Sequence, residues 1–160
     1  HLVRGLDPYY PAYYEGRAEI EGIRDYFESI LDNVTLIDDF DVYGHLDYVV
    51  RYCPSGEKIF RMSDYKEEFE QIFKKIIPKG KGIEINTGSL YKNMSYAHPH
   101  MDILKLYKDM GGEIITVGSD AHKPEYLCYD FETYARDALT SLGYRYYCTF
   151  KNRKPEFNPL

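Results

Sequence analysis

The chain has 160 residues, of which 44% are hydrophobic and 29% charged, and its formal net charge is −6. This length suits one domain with a sizeable core. The acidic balance argues against a nucleic-acid partner, because phosphate backbones are bound mainly by dense Lys and Arg. No apolar run is long enough to cross a bilayer, so no membrane partner is expected.

The cysteines and the start of the chain bear on its location. Cys53, Cys128 and Cys148 form no CxxC pair, which favours reduced thiols and a cytoplasmic protein over a disulfide framework or a zinc knuckle. No signal peptide is recognisable. Because the first residue is His1 rather than Met, we expect a further segment upstream of it.

Hydrophobic periodicity predicts helices that alternate with short β-branched strands. Ser63 is a plausible N-cap for the second helix, and Pro99 suits the first turn of the third. In chain order we predict helix 17–36, strand 41–45, helix 63–77, strand 82–86, helix 99–110, strand 114–118, helix 131–142 and strand 145–150. Such alternation is typical of parallel βαβ units, and the predicted class is α/β.

Polar residues follow three successive predicted strands. Ligands of parallel α/β folds bind at the carboxyl ends of the strands, so these residues are expected at one rim. His45 ends the first strand, Glu84 and Asn86 end the second, and Ser119, Asp120 and His122 follow the third. This convergence predicts a binding site.

The segment Gly118–His122 carries the sharpest local signal. An acid and an imidazole stand two residues apart among small neighbours, and such groups suit Zn, Mn or Fe. The alternative is that Asp120 caps the next helix while His122 lies in a surface loop. The expected arrival of His45 at the same rim favours the metal interpretation.

Other polar residues admit two interpretations. His45 alone is more often a hydrogen-bonded rim residue than a ligand. Arg51, flanked by apolar residues, either clamps a phosphate bidentately or pairs with an acid. For His98 and His100, which flank Pro99, we favour a structural role at a helix start over metal binding.

Several blocks of the sequence resemble the polymerase-and-histidinol-phosphatase (PHP) family, in particular its histidinol-phosphatase members. They occur in the family's order and cover most of the chain. The blocks are Gly5–Tyr10, residues 41–52 (DVYGHLDYVVRY), residues 84–87 (EINT) and residues 118–122 (GSDAH).

The resemblance implies a fold and a metal cluster. The expected fold is the C-terminal portion of a distorted seven-stranded (β/α) TIM-like barrel, with residues 1–160 forming a partial PHP domain. Up to three divalent metal ions are expected at the carboxyl-terminal rim. The residues that match the family's metal ligands are His1, His45, Asp120 and His122.

The resemblance also implies a reaction, the hydrolysis of L-histidinol phosphate to L-histidinol and phosphate. Arg51, Asn86 and Lys92 are expected to bind substrate, and Asp120 and Arg51 to act in catalysis. Where the family often carries a basic residue, this chain has Tyr91 with Lys92 beside it. Whether Lys92 substitutes is left open.

The family's opening HxH motif, a further His and a bridging Glu find no match here. The expected partners are a small phosphorylated substrate and either the missing N-terminal part or a second copy of the chain. Two alternatives remain: a non-catalytic PHP-like interaction or structural domain, and a metal-dependent hydrolase of another small substrate.

Overall fold

A computed structural model describes residues 2–160, so His1 lies outside the described residues. Short 3-10 turns connect several of the regular elements. The α-helices are α1 (Glu19–Leu36), α2 (Tyr48–Tyr52), α3 (Lys66–Ile76), α4 (Met101–Asp109) and α5 (Arg136–Ser141), and the strands are β1 (Val42–Tyr43), β2 (Gly82–Asn86), β3 (Ile115–Gly118), β4 (Tyr146–Lys151) and β5 (Lys154–Pro159).

A three-stranded parallel sheet in the order β1-β2-β3 forms the centre of the fold. The strand β2 lies between its neighbours and is buried on both faces, with Ile83 and Ile85 fully inaccessible. Its two β-branched residues, Ile83 and Ile85, alternate with Gly82, Glu84 and Asn86, of which only Glu84 is partly exposed. Asn86 pairs with Gly118 in register, so the carboxyl ends of β2 and β3 lie side by side.

The core continues into the helices that connect the strands. Apolar residues three or four positions apart give α1 and α3 one buried face each, and the two helices pack together. Phe27 of α1 meets Phe69 of α3 with ring centroids 4.6 Å apart. The ring centroid of Phe73 lies 5.1 Å from that of Tyr107 in α4. The helices that precede and follow β2 in the chain are therefore in contact.

The prediction that strand 145–150 continues the parallel series is wrong. β4 pairs antiparallel with β5 in a separate two-stranded sheet. Only Asn152 and Arg153, both with positive φ, connect the two strands, a length that permits a hairpin and excludes a parallel crossover. β5 was not predicted, because Pro155 and Pro159 weaken its strand pattern.

Some predicted element ends are also corrected. Ser63 does not cap α3, because it lies inside a 3-10 turn, Met62–Tyr65, that precedes the helix. The predicted helix 131–142 begins as a π-helical turn, Phe131–Ala135, before α5. β1 is shorter than predicted, since His45 has a φ of 32° and turns the chain out of the strand.

Within residues 2–160, we find no helix whose length and apolar character would allow it to span a membrane. The cytoplasmic location stays a prediction.

Candidate active site

The carboxylate of Glu84 lies at the carboxyl end of the sheet, between β1 and β3. Its Oε2 accepts hydrogen bonds from the backbone N–H of His45 at 3.3 Å and from Nδ2 of Asn86 at 3.2 Å. A Cβ at Gly118 would overlap Oε1 of Glu84, and a Cβ at Gly44 would lie 3.0 Å from Oε2. Glycine at both positions therefore makes room for this carboxylate, which holds the loop that carries His45.

Asp120 follows β3 in a left-handed conformation, with a φ of 50° that non-glycine residues rarely adopt. Its Oδ2 lies 3.0 Å from Nζ of Lys92. Its carbonyl oxygen accepts hydrogen bonds from the Tyr91 hydroxyl at 2.7 Å and from Nδ1 of His122 at 2.8 Å. The residue that we predicted as a metal ligand is thus held through both its backbone and its side chain.

The hydrogen bond of His122 fixes its tautomer. A carbonyl oxygen can only accept, so Nδ1 carries a proton, and in the neutral ring Nε2 is the nitrogen with the lone pair. A neutral imidazole of this kind binds divalent metals, its other nitrogen being commonly fixed by a carbonyl or carboxylate. The side chain is 78% exposed, so the ring stands at the surface beside Asp120.

The pKa of the His45 imidazole is shifted by its burial and by neighbouring charged groups. Burial lowers the pKa of its imidazole; a hydrogen bond to its own backbone and the Asp120 carboxylate oppose this shift, whereas His98 and Arg51 add to it. The lowered pKa keeps the ring neutral at neutral pH, the state that metal binding requires. The backbone N–H of His45 and the Gly118 position before Asp120 both lie against the Glu84 carboxylate, so the segments that follow β1 and β3 converge there.

Arg51 is held by aromatic rings. Its guanidinium carbon lies 5.0 Å from the ring centroid of Tyr48 and 4.8 Å from that of Tyr52. Its Nε is buried and has no hydrogen-bond partner among residues 2–160. This arrangement favours the interpretation of Arg51 as an anion-binding group over that of a partner for an acid.

Two predicted substrate-binding residues already bond within the protein. Asn86 is buried, and its Oδ1 accepts from the backbone N–H of Gly88 at 2.9 Å while its Nδ2 donates to Glu84. Asn86 thereby caps the 3-10 segment Thr87–Lys92. Lys92 at the end of this segment is paired with Asp120.

A buried pair, Asp47 and His98, was missed by the sequence analysis. Oδ1 of Asp47 lies 2.6 Å from Nδ1 of His98, and both side chains are almost fully inaccessible. Oδ2 of Asp47 accepts from the backbone N–H of His100 at 2.9 Å, and Nδ1 of His100 caps α4 by accepting from Asp102 N at 3.2 Å. The structural role predicted at this helix start agrees with these contacts, whereas the buried partner was unexpected.

The predicted metal ligands do not form a complete group among the described residues. Among residues 2–160, no three His, Cys, Asp or Glu side chains are grouped so that they could hold one ion. The predicted ligand His1 lies outside that range. The donor chemistry of His45, Asp120 and His122 nevertheless fits a divalent cation, because it combines neutral imidazoles with a carboxylate.

The chain matches a known protein family. The model of the PHP domain matches residues 2–88, more than half of the 160 residues. This chain belongs to the PHP family. The matched part contains His45 and Glu84, while Asp120 and His122 of the same site lie beyond it.

Curated relatives of this PHP chain carry one functional name. The chain is 30% identical over 148 residues to the histidinol-phosphatase of Lactococcus lactis, an alignment that covers 91% of this chain and 54% of the relative. It is 30% identical over 132 residues to a probable histidinol-phosphatase of Clostridium acetobutylicum, with coverages of 82% and 51%. A probable histidinol-phosphatase of Thermotoga maritima is 32% identical over 123 residues, with coverages of 77% and 49%.

A solved structure shows the same fold. The crystal structure of histidinol phosphate phosphatase from Lactococcus lactis, complexed with zinc, L-histidinol and phosphate, superposes with a TM-score of 0.78 at 26% identity. The alignment covers 98% of this PHP chain and 59% of that protein. The chain therefore spans about half the length of the relatives that it matches.

Proposed function

We propose that this chain forms the carboxyl-terminal part of a metal-dependent phosphomonoesterase that hydrolyses L-histidinol phosphate to L-histidinol and phosphate. The observation that carries the proposal is the convergence of two segments on the Glu84 carboxylate at the carboxyl end of the parallel sheet: the backbone N–H of His45 contacts it, and Gly118, two residues before Asp120, packs against it. The relatives named histidinol-phosphatase support the choice of substrate.

The proposal includes the finer architecture. The parallel sheet β1-β2-β3 is taken as a portion of a distorted seven-stranded (β/α) barrel, with residues 1–160 as a partial PHP domain. Two observations support this extension: the all-parallel pairing of these strands and the alignment with 59% of the solved PHP phosphatase.

His45, Asp120 and His122 would hold divalent ions, together with His1 outside the described residues. Zn, Mn or Fe suits such donors, and up to three ions are proposed for the complete site. A divalent cation bound here supplies Lewis acidity towards phosphate oxygens and lowers the pKa of an adjacent water.

The chain's own residues account for substrate binding and charge compensation. Arg51, oriented by the rings of Tyr48 and Tyr52, donates hydrogen bonds to the phosphate and offsets the charge that develops during hydrolysis. Asp120 carries a carboxylate that can hold a cation or exchange a proton with water. Lys92 contributes positive charge beside Asp120.

The test is phosphate release by the intact gene product from L-histidinol phosphate and from a panel of other small phosphomonoesters. Asp120→Asn should lower both the metal content and kcat, the latter by about 100-fold or more, because a ligand and a proton-transfer group are lost together. Glu156→Gln, on the exposed hairpin, serves as the control. Full activity of Asp120→Asn with unchanged metal stoichiometry would refute the assignment.

One observation favours a second candidate, a non-catalytic PHP-like interaction or structural domain. No three-ligand group is complete within residues 2–160. In that case the intact gene product would bind no divalent metal and release no phosphate from any member of the panel. Release from another phosphomonoester, but not from L-histidinol phosphate, would indicate a different substrate.

A further inference from the structure

Tyr91 joins the two segments that follow β2 and β3. Its hydroxyl oxygen lies 2.9 Å from the carbonyl oxygen of Ser119 and 2.7 Å from that of Asp120. Its ring stacks on Tyr126, with centroids 4.1 Å apart and planes 7° from parallel, and meets the edge of Tyr129 at 5.4 Å. One side chain therefore contacts both ends of the segment 119–129, which contains Asp120 and His122.

The same two segments approach closely at Gly88. A Cβ at this position would lie 2.9 Å from the carbonyl oxygen of Ser119 and 3.1 Å from Cβ of Asp120. The backbone N–H of Gly88 is in turn fixed by Oδ1 of Asn86. The turn that carries Tyr91 is thus firmly placed, which makes it a suitable support for its neighbour.

Asp120 needs such a support. Its φ of 50° is unfavourable for a residue with a side chain and persists only where neighbouring groups impose it. A donor shared by the carbonyl groups on either side of the Asp120 Cα restricts rotation about the φ and ψ bonds of this residue. That restriction also sets the direction of the Asp120 carboxylate.

We propose that Tyr91 is a positioning residue: its hydroxyl holds the backbone of Asp120, and its ring holds the segment beyond His122, so that both side chains are oriented for metal binding. The role in metal binding rests on the proposed function, whereas the anchoring of the backbone does not. Tyr91 touches neither substrate nor metal in this account.

Two variants separate the two halves of this role. Tyr91→Phe removes the hydroxyl and keeps the stacked ring, whereas Tyr126→Leu removes the stack and keeps the hydroxyl. Tyr146→Phe is the matched control, because Tyr146 lies on the β4–β5 hairpin with 47% of its surface exposed.

Amide hydrogen exchange of the metal-free intact protein tests the anchoring directly. In Tyr91→Phe, exchange of peptides covering residues 119–131 should accelerate roughly fivefold, which corresponds to the loss of one ordinary hydrogen bond. Tyr126→Leu should accelerate exchange mainly in residues 123–131. Unchanged exchange of residues 119–131 in Tyr91→Phe would overturn the inference, whether or not the protein proves to be a phosphatase.

A titration with Co²⁺, followed by its visible absorption, tests the positioning. Tyr91→Phe should bind Co²⁺ about tenfold more weakly than wild type, and with altered ligand-field bands. Tyr146→Phe should match wild type. A merely structural role would lower the thermal midpoint and leave the affinity and bands of the folded variant unchanged, and that result would overturn the proposal.

The two measurements also separate this inference from the proposed function. If the wild-type protein binds no Co²⁺, the metal chemistry of the proposed function fails, and hydrogen exchange alone decides whether Tyr91 holds Asp120. If Co²⁺ binds as expected but L-histidinol phosphate is not hydrolysed, the substrate assignment fails and the positioning by Tyr91 stands.

Discussion

Asp47 connects the loop after β1 to the segment before α4. Its Oδ1 contacts Nδ1 of the buried His98, and its Oδ2 accepts a hydrogen bond from the backbone N–H of the partly buried His100. A buried acceptor with two donors is difficult to replace, because an unpaired buried donor loses its hydration without compensation. Because Asp47 is two residues from His45, this contact also places the proposed ligand loop.

Asp47→Asn should therefore lower the free energy of unfolding by about 1–3 kcal/mol, since the new NH2 group would face an N–H donor and could not accept its hydrogen bond. Urea unfolding of the intact protein measures the change. Asp109→Asn, at an exposed ion pair with Lys105, should have little effect. Equal destabilisation by the two substitutions would show that Asp47 does not hold the fold in this way.

At the scale of single residues, the sequence allowed prediction of His45, Asp120 and His122 as candidates, because each follows a recognisable strand. The local pattern also suggested that Arg51 binds an anion or an acid. The partners of these residues were not predictable. Tyr91 contacts Asp120 across 29 positions and Asp47 contacts His98 across 51, and without the fold no pattern in one sequence pairs such distant residues.

Among the elements, the pairing of β2 with β3 depends on Gly82. A Cβ here would lie 2.6 Å from the backbone oxygen of Ile114 and would also strike the side chain of that residue. Because a backbone atom cannot swing aside, Gly82→Ala should force the strands apart. We expect a loss of about 1–3 kcal/mol in unfolding free energy, measured by urea titration. An unfolding midpoint equal to that of wild type would contradict this close packing.

The same elements show where sequence patterns succeed. The predicted strand 82–86 has the bounds of β2, since isoleucines at alternate positions behind Gly80 and Gly82 favour a short strand. The antiparallel hairpin could not be read in the same way. Its turn, Asn152–Arg153, lacks the glycine that usually marks such turns, and prolines obscure β5.

On the scale of the whole molecule, the hairpin and the site lie at opposite ends of β1. Arg153 in the hairpin turn pairs with Asp39 and with Asp41, just before β1, whereas His45 follows the strand. The hairpin turn is thus tied by ion pairs to the segment that precedes β1. His45, Glu84 and Asp120 lie at the carboxyl-terminal end of the sheet.

This chain spans about half the length of its curated relatives. Its described residues contain no group of three side chains that could hold a metal ion. We therefore propose that this chain forms one side of a metal site, with His45, Asp120 and His122 as its ligands. The remaining ligands would come from residues beyond those described.

The most direct test of this assignment is an anomalous difference map from a crystal of the zinc-loaded intact gene product. The account predicts a zinc peak in contact with the Asp120 carboxylate and with the imidazole of His45 or His122, at the carboxyl end of β1 and β3. Zinc bound only at other positions, or no zinc at this end of the sheet at saturating concentration, would contradict it.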